Sequence, residues 1–398
     1  MTMLRATTLL LLAAAGPLGA KTIPVPAGAD AQERLQSALI ETVPGDTVQL
    51  GEGRFTLTDG LSLDVHKVTV RGAGPDRTIL DFKGQQGAGE GLLVTSDDVV
   101  LRDFAVEDSK GDGIKSKDAD RIVYHNLRVE WTGGPKATNG AYGVYPVSSE
   151  HVLIDGVTVR GASDAGIYVG QSQDIVVRNS VAEYNVAGIE IENSYNADVH
   201  SNSAAHNTGG ILVFDLPNLP QMGGHSVRIF GNDVSRNDTP NFAPPGNIVG
   251  AVPMGVGVLV MANRNVHVFN NRLGDNATAN IMVIAYPRAF DDKSYNPLPR
   301  DIVLRDNSHG RAGWDPKLTG GRALPPGTVF PPILWDGAGG DAANIQVRDA
   351  AGALSLGLAE AGASAEQAKP VPLAPFTGPA LAEPKPVVLP PSMEAAIR

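Results

Sequence analysis

One pattern of apolar and polar positions recurs along the chain: a small residue, an aliphatic residue, a variable residue and a second aliphatic residue. In Gly166-Ile167-Tyr168-Val169 the apolar side chains alternate, which predicts a β-strand. Most successive copies begin 22 or 23 residues apart, and two steps, of 30 and 47 residues, are longer. A period near 22 with two insertions predicts a repeat architecture. The eight copies begin at Gly91, Gly113, Gly143, Gly166, Gly188, Gly210, Gly257 and Asn280.

Residues 166–187 indicate what one repeat contains. After the first strand, Ile175 to Val177 and Val181 to Tyr184 predict two more short strands, and turn-forming residues separate all three. Such a repeat leaves no room for a helix and buries no core alone, so it must stack on its neighbours. The sequence therefore predicts an all-β fold, a single-stranded right-handed parallel β-helix solenoid with three sheets and coils about 4.8 Å apart.

Stacking the repeats in register places aliphatic residues in continuous inward rows, as a solenoid core requires. Asparagines recur near the second turn, where an amide can bond the backbone of neighbouring coils, so we interpret them as structural. The inward row of the first strands is Leu92, Ile114, Val144, Ile167, Ile189, Ile211, Val258 and Ile281. The asparagines are Asn126, Asn179, Asn202, Asn232, Asn271 and Asn307.

The N-terminus has the composition of a targeting segment. Arg5, an apolar run and the small pair Gly19-Ala20 predict a signal peptide over residues 1–20. The apolar run is too short to span a bilayer, so we expect no stable membrane insertion. The sequence thus predicts a periplasmic or secreted protein.

The β-helix domain is expected over residues 21–365, with regular coils over about 91–310. A short helix within residues 28–43 is expected to cap the N-terminal end of the solenoid, because an exposed terminal coil is an unpaired edge. Residues 366–398 are rich in Pro and Ala, which predicts an extended or disordered tail. The apolar face of the helix is expected to consist of Leu35, Leu39 and Ile40.

The charge and the cysteine content of the chain exclude several classes of partner and site. The chain carries 32 Lys and Arg against 43 Asp and Glu, a net charge of −11, which argues against nucleic acid as a partner. It has no cysteine and hence no disulfide framework or thiolate metal site. An anionic substrate would need local cations or a bound metal to override the global field.

The N-terminal helix, the turn Pro44-Gly45-Asp46, the segment Val70-Arg71-Gly72-Ala73-Gly74 and the tandem coils form a recognisable order. Over residues 24–310 the chain resembles the pectin-lyase-like right-handed β-helix superfamily, and within it bacterial exported proteins with NosD-type repeats. The resemblance implies the fold. It leaves activity open, because this scaffold hosts lyases, hydrolases, epimerases and non-enzymes. The Asp-Pro-His-Asp signature associated with mannuronan epimerases is absent.

Insertions border the first predicted sheet on both of its sides, and long loops on a rigid scaffold commonly carry function. A sheet with loops on both sides is expected to form an open groove for an extended oligomer. The insertions are Trp131–Tyr142, Asp215–Gly224, Asp238–Gly255 and Tyr286–Pro299.

The outward positions of the first strands define the expected floor of this groove. One column reads Leu93, Lys115, Tyr145, Tyr168, Glu190, Leu212, Leu259 and Met282. The next reads Thr95, Lys117, Val147, Gly170, Glu192, Phe214, Met261 and Ile284. The candidate catalytic residues are Lys115, Tyr145, Tyr168 and Glu190. The candidate substrate-binding residues are Lys117, Trp131, Tyr142, Asp164, Glu192 and Asp215.

These residue types favour an acidic polysaccharide as the substrate, opened by β-elimination or altered by epimerisation. Both reactions need a base, a proton donor and a group that neutralises the sugar carboxylate. Tyr145 or Tyr168 is a candidate base or acid, Lys115 a candidate base or carboxylate partner, and Glu190 a candidate ligand for Ca²⁺ or a hydroxyl. Hydrolysis by Glu190 and Glu192 is disfavoured, because they lie side by side on one strand.

Two alternatives stay open from the sequence. The groove is equally consistent with a non-catalytic module that binds a glycan or a partner protein. A NosD-like role in copper delivery is the other alternative, because thioether and imidazole ligands suit Cu(I). The residues that would carry it are Met222, Met254, Met261, Met282 and His225.

Overall fold

A computed structural model describes residues 19–87, 89–318 and 329–398. The predicted signal peptide lies almost wholly outside the described residues. The described chain forms a right-handed parallel β-helix of three sheets, which confirms the predicted fold. Successive coils contribute one strand to each sheet.

The first sheet carries the candidate site. Its strands are parallel except for the last pair, Ala353–Ser355 with Val371–Leu373, which is antiparallel. In spatial order the strands are Leu61–Leu63, Leu92–Val94, Ile114–Lys117, Tyr142–Val147, Ala165–Gly170, Ala187–Glu192, Gly209–Phe214, Val256–Met261, Ala279–Ile284, Ile333–Trp335, Ala353–Ser355 and Val371–Leu373.

The second and third sheets close the coil. The second consists of Thr22–Val25, Thr47–Leu50, Thr69–Arg71, Val100–Arg102, Ile122–His125, Glu150–Asp155, Gln173–Arg178, Tyr195–His200, His225–Phe230, Arg264–Phe269, Arg300–Arg305 and Ile345–Val347. The third consists of Gly53–Thr56, Thr78–Asp81, Ala105–Glu107, Arg128–Glu130, Thr158–Arg160, Val181–Glu183, Ser203–Ala205, Asp233–Ser235, Arg272–Gly274 and Ser308–His309. The predicted inward row of the first sheet is fully buried in one continuous core.

A helix, Ala31–Glu41, caps the N-terminal end of the solenoid. Leu35 and Leu39 are buried as predicted, but Ile40 is 68% exposed. The buried face repeats at i, i+4, i+7 and i+8 from Ala31, and Ile40 lies one residue, about 100°, beyond that stripe. Short 3₁₀ turns occupy Val249–Ala251, Gly340–Ala343 and Ala365–Gln367.

The C-terminal segment, predicted as an extended or disordered tail, is extended but packed along the outer face of the second sheet. Glu394 accepts two hydrogen bonds from Arg178, and Glu383 accepts one from Arg228. Leu389 and Met393, the latter in the short helix Pro391–Ala395, pack with outward apolar residues of that sheet. Pro and Ala composition does not reveal these few charged and apolar anchors.

Two asparagine ladders run along the coil turns. The predicted one is present from Asn202 onward, with amide-to-amide hydrogen bonds of about 3 Å through Asn232, Asn271 and Asn307. Asn126 and Asn179 lie one position away, in left-handed conformations. A second buried ladder, which the sequence reading missed, joins Asn185, Asn207, Asn237 and Asn276. Within the described ranges, no helix is long and apolar enough to cross a membrane.

Candidate functional site

The first sheet stacks the four candidate catalytic residues in one column, as the sequence predicts. Lys115 pairs with Tyr145, and Tyr168 pairs with Glu190 on the next strand. The pairing of Val144 with Ile167 places Tyr145 beside Tyr168. The neighbouring column is also as predicted, with Glu192 beside Gly170.

Three tyrosines form a compact cluster in this column and beside it. The ring centroids of Tyr142 lie 4.5 Å from those of Tyr145 and of Tyr168, and Tyr145 and Tyr168 are 4.9 Å apart. Burial raises the pKa of Tyr145 to about 12 and raises the pKa values of Tyr142 and Tyr168 further. All three phenols therefore keep their protons at neutral pH and act as hydrogen-bond donors or acids.

Gly170 determines where Tyr168 points. A Cβ at this position would lie 2.3 Å from the Tyr168 hydroxyl, so only glycine lets the ring lie across the strand. The hydroxyl then reaches the neighbouring column and donates to Glu192 Oε1 at 2.7 Å.

Glu190 and Glu192 form a buried carboxyl pair on one strand. Glu190 is 1% exposed and Glu192 is 7% exposed. Burial raises the pKa of Glu192 to about 7, against the hydrogen bond from Tyr168, and raises the pKa of Glu190 well above its usual value. The nearby Glu192 also raises the pKa of Glu190, whose Oε2 is buried with no hydrogen-bond partner among the described residues. Tyr168, Glu192 and Glu190 thus form a chain that takes up or releases a proton near neutral pH.

Two aspartates flank the pair. Burial and the nearby Glu192 raise the pKa of Asp164 to about 7, and Asn247 donates a hydrogen bond to its carboxylate at 2.9 Å. Burial also raises the pKa of Asp215, whose oxygens accept the backbone N–H groups of Gly223 and Gly224.

The N-terminal end of the column is more exposed. The Lys115 ammonium lies 3.1 Å from a Glu90 oxygen, 3.9 Å from Asp112 and 4.7 Å from the centre of the Tyr145 ring. Burial raises the pKa of Asp112 to about 6. Three coil spacings, about 14 Å, separate Lys115 from Glu190, so they would contact different sugar units.

Two predicted binding residues lie apart from the site. Trp131 is 4% exposed and belongs to the solenoid core, and its indole N–H donates to the Ser109 carbonyl at 2.8 Å. Its ring therefore offers no face to a sugar, because the insertion begins only after this residue. Lys117 is exposed at the end of the second column, three coils from Glu192.

The insertions cover the C-terminal part of the floor rather than bordering an open groove. From Tyr168 to Met282 every residue of the column is at most 4% exposed. Val249 and Val252 from one insertion, and Tyr286 and Tyr295 from another, pack over the floor in one apolar cluster. The expectation of an open groove along the whole sheet is therefore wrong: the loops carry apolar residues that close over it.

The carboxyl pair does not offer a calcium shell. Ca²⁺ takes six to eight oxygen ligands. Among the described residues, the set of three acidic or histidine ligand atoms within 4.8 Å of one another consists of Glu150, His151 and Asp174. These residues lie on strands of the second sheet or at their turns, so the Ca²⁺ role suggested for Glu190 does not fit.

Two of the four methionines considered for copper, Met261 and Met282, are packing residues. Met261 and Met282 are at most 4% exposed and lie in the apolar cluster beneath the insertions. His225 stacks on Tyr195 in the second sheet, with ring centroids 4.5 Å apart. This arrangement is the one expected of thioethers that fill a hydrophobic floor.

The sequence reading missed Asp112, Asn247 and Tyr295. Asp112 lies two positions before the inward Ile114, where strict alternation predicts an inward side chain, yet it accepts the N–H of Tyr142, so the repeat did not indicate it. Asn247 and Tyr295 lie in insertions, where the repeat gives no register. Tyr295 donates to the Asp215 carbonyl at 2.5 Å.

Comparisons with known proteins agree on the fold. A family model described as "Right handed beta helix region" matches residues 68–221. No curated protein sequence matches the chain. The mannuronan C-5 epimerase AlgE6 A-module of Azotobacter vinelandii is similar in structure, with a TM-score of 0.50 and 15% identity over 79% of this chain and 92% of that one.

Two other solved structures have lower TM-scores. The AlgE4 A-module from the same organism has a TM-score of 0.43 and 15% identity, covering 76% of this chain and 99% of that one. Pectate lyase Pel9A has a TM-score of 0.41 and 15% identity, covering 80% and 76%. At such identities the likeness concerns the scaffold, a right-handed parallel β-helix, and the chemistry must come from the site.

Proposed function

We propose that this protein is an exported carbohydrate-active enzyme that removes the proton next to the carboxylate of a uronate unit in an acidic polysaccharide, giving β-elimination or epimerisation. The observation that carries the proposal is the buried chain of Tyr168, Glu192 and Glu190 on the floor of the first sheet. The AlgE6 A-module, which shares the scaffold, is by name a mannuronan epimerase. The composition of residues 1–20 is the reason for including export.

Glu192 is the proposed base. A base works best when its pKa lies near the operating pH, and Glu192 has a pKa of about 7. The tyrosines keep their protons, so the sequence-based option of a tyrosine base is set aside in favour of tyrosine donors. Tyr168 orients Glu192 through its 2.7 Å hydrogen bond.

In this reaction Glu192 takes the C5 proton, and the electron pair delocalises into the sugar carboxylate. Elimination then forms a C4–C5 double bond and expels the O4 oxygen, which takes a proton from the tyrosine cluster. In epimerisation C5 instead receives a proton from the tyrosine cluster on its opposite face. Protonated Glu190 and Asp164 lower the negative charge that would otherwise repel the substrate.

The test is a screen of alginate, pectate and related polymers for three kinds of product. New double bonds are detected by absorbance at about 235 nm, and a changed uronate configuration is detected by NMR. New reducing ends are measured as the third product. The wild-type protein is expected to give one of the first two. Glu192→Gln is expected to lower the rate at least about 100-fold, since general-base catalysis supplies roughly 10²–10⁴.

Glu41→Gln is the matched control, because Glu41 is an exposed residue of the capping helix. Its rate should equal that of the wild type. New reducing ends without double bonds would assign hydrolysis instead. Turnover of no polymer, or an unimpaired Glu192→Gln protein, would contradict the proposal.

A further inference from the structure

A cavity of about 520 Å³ lies beside the carboxyl pair and shares Asp215 with the site predicted from the sequence. Its volume is within the range of small-molecule sites, roughly 300–1,000 Å³. It opens between two insertions, Asp215–Gly224 and Tyr286–Pro299. The lining includes Tyr195, Asp215, Gln221, Tyr295, Asn296 and Arg300.

The cavity adjoins the acid/base groups through Asp215. Asp215 follows Phe214, the register partner of Glu192, and its charge contributes to the raised pKa of Glu192. Tyr295 contacts the Asp215 carbonyl from the opposite insertion. A sugar chain with one unit at Glu192 can therefore place a neighbouring unit in this cavity.

Two arginines, Arg300 in the lining of the cavity and Arg264 next to it in register, form no ion pair among the described residues. They are register partners on adjacent strands, so their backbones lie one coil spacing, about 4.8 Å, apart and two like charges are neighbours. Among the described residues, neither guanidinium has a carboxylate oxygen within 4.0 Å. Arg300 donates one hydrogen bond, to the Leu298 carbonyl at 2.9 Å.

This pairing costs stability without a bound anion. Like charges placed opposite each other on neighbouring strands are destabilising. Burial lowers the pKa of Arg300, and the charge of the nearby Arg264 lowers it further. Asp215 and Asp301 act on Arg300 only at longer range, because their oxygens accept hydrogen bonds elsewhere: Asp215 from two backbone N–H groups and Asp301 from Asn344.

The other groups of the cavity suit a sugar. Tyr195 offers a partly exposed ring, Asp215 and Gln221 Oε1 can accept hydroxyl hydrogens, and the exposed amide of Asn296 can donate. Guanidinium groups match the geometry of carboxylates and sulfates. A ligand that carries both hydroxyls and an anion uses every one of these groups.

We infer that this cavity, with Arg264 and Arg300 at its edge, is a subsite for an anionic sugar unit next to the unit that reacts at Glu192. The inference rests on the proposed function, because it names the feature that selects an acidic polymer. It assigns the recognition of this anion to two arginines of the second sheet, two and three coils from Glu192, and leaves Lys115, three coils from Glu190 in the opposite direction, to another sugar unit.

The experiment is a calorimetric titration with tetrasaccharides, carried out in the Glu192→Gln protein so that none is consumed. The probes are tetra-mannuronate, tetra-galacturonate, a sulfated tetrasaccharide and neutral cellotetraose. At least one anionic probe should bind more tightly than cellotetraose. Arg264→Gln and Arg300→Gln should each weaken that binding about tenfold or more, the loss of one charge-assisted hydrogen bond.

Arg236→Gln is the matched control, since Arg236 is an exposed arginine after Asp233–Ser235 in the third sheet, and it should bind as the parent does. The thermal midpoints of the Arg264 and Arg300 variants should stay equal or rise, because repulsion is relieved. Unchanged anion binding in the double variant, equal binding of cellotetraose, or lower midpoints would overturn the inference.

The two proposals fail separately. Arginine-dependent binding without turnover of any polymer would retain the subsite and remove the enzymatic function. Turnover that depends on Glu192 but not on the arginines would retain the enzymatic function and remove the subsite.

Discussion

Glu192 combines deep burial with a single hydrogen bond from a phenol, and this combination gives it a pKa near neutrality. The phenol reaches it only because Gly170 has no side chain in the way. Sequence alone placed Glu192 and Tyr168 in neighbouring columns, since the two-residue alternation and the 22-residue repeat fix the register. It did not indicate that the two side chains meet.

The raised pKa of Glu192 predicts how stability depends on pH. Its folded-state pKa of about 7 exceeds the ordinary value of 4.5, so this carboxyl stabilises the fold below pH 4.5 and loses that contribution as the pH rises through 7. The difference corresponds to about 3 kcal/mol. Glu192→Gln should therefore gain stability relative to the wild type between pH 5 and pH 8, measured by urea unfolding.

Glu41→Gln, on the exposed capping helix, provides the comparison and should follow the wild-type pH profile. Because Glu190 and Glu192 titrate as a pair, the whole pH profile is compared rather than one midpoint. Parallel profiles for the Glu192→Gln and wild-type proteins would mean that the carboxyl is ionised throughout this range.

The insertion Asp238–Gly255 lies over the carboxyl groups and is held by a few polar contacts. Asn247 donates to Asp164, and Arg288 donates to the carbonyls of Gly246 and Asn247. Substrate can reach Glu190 only if this cover moves, because Glu190 is 1% exposed. Val249 and Val252 also hold the insertion through the apolar cluster, but it lacks the ladder hydrogen bonds of the sheets beneath it, so we expect it to open more easily than they do.

The substitution Asn247→Asp tests this contact without changing side-chain size. At pH 8 the new carboxylate faces an ionised Asp164, whose pKa is about 7, and should push the insertion away. At pH 5 Asp164 holds a proton and can still form a hydrogen bond. Amide hydrogen exchange in residues 241–252, corrected for intrinsic rates, should therefore rise more at pH 8 than at pH 5.

If Asn247→Asp raised the exchange rate equally at pH 5 and pH 8, or at neither pH, contacts other than the one with Asp164 would hold the insertion. Exchange in the strand Ala187–Glu192 below it serves as the internal reference.

Strands and insertions differ in how far the sequence predicted them. The column from Lys115 to Glu190 was predictable, because period, alternation and inward aliphatic residues all indicate one register. Insertions have no period, so the burial of the floor and the contacts of Asn247 and Tyr295 could not be derived. Trp131 shows the same limit: it stands at the boundary of an insertion, and only the structure assigns it to the core.

The molecule as a whole is acidic, yet the proposed substrate is an anion. The structure offers two local solutions to this conflict: carboxyl groups that keep protons in the buried cluster, and arginines without carboxylate partners beside it. Glu190 and Asp164 are buried at the first sheet, whereas Arg264 is exposed on the second sheet. The repeats of the solenoid thus fix which site residues are neighbours, and the insertions determine how deeply those residues are buried.

The most direct measurement follows the C5 proton itself. A uronate polymer tritiated at C5 is incubated with the wild-type and the Glu192→Gln proteins, and tritium released to water is counted. Proton abstraction by Glu192 predicts release by the wild type for elimination and epimerisation alike, and its loss in the variant. Chain cleavage with all tritium retained, or equal release by both proteins, would contradict the account.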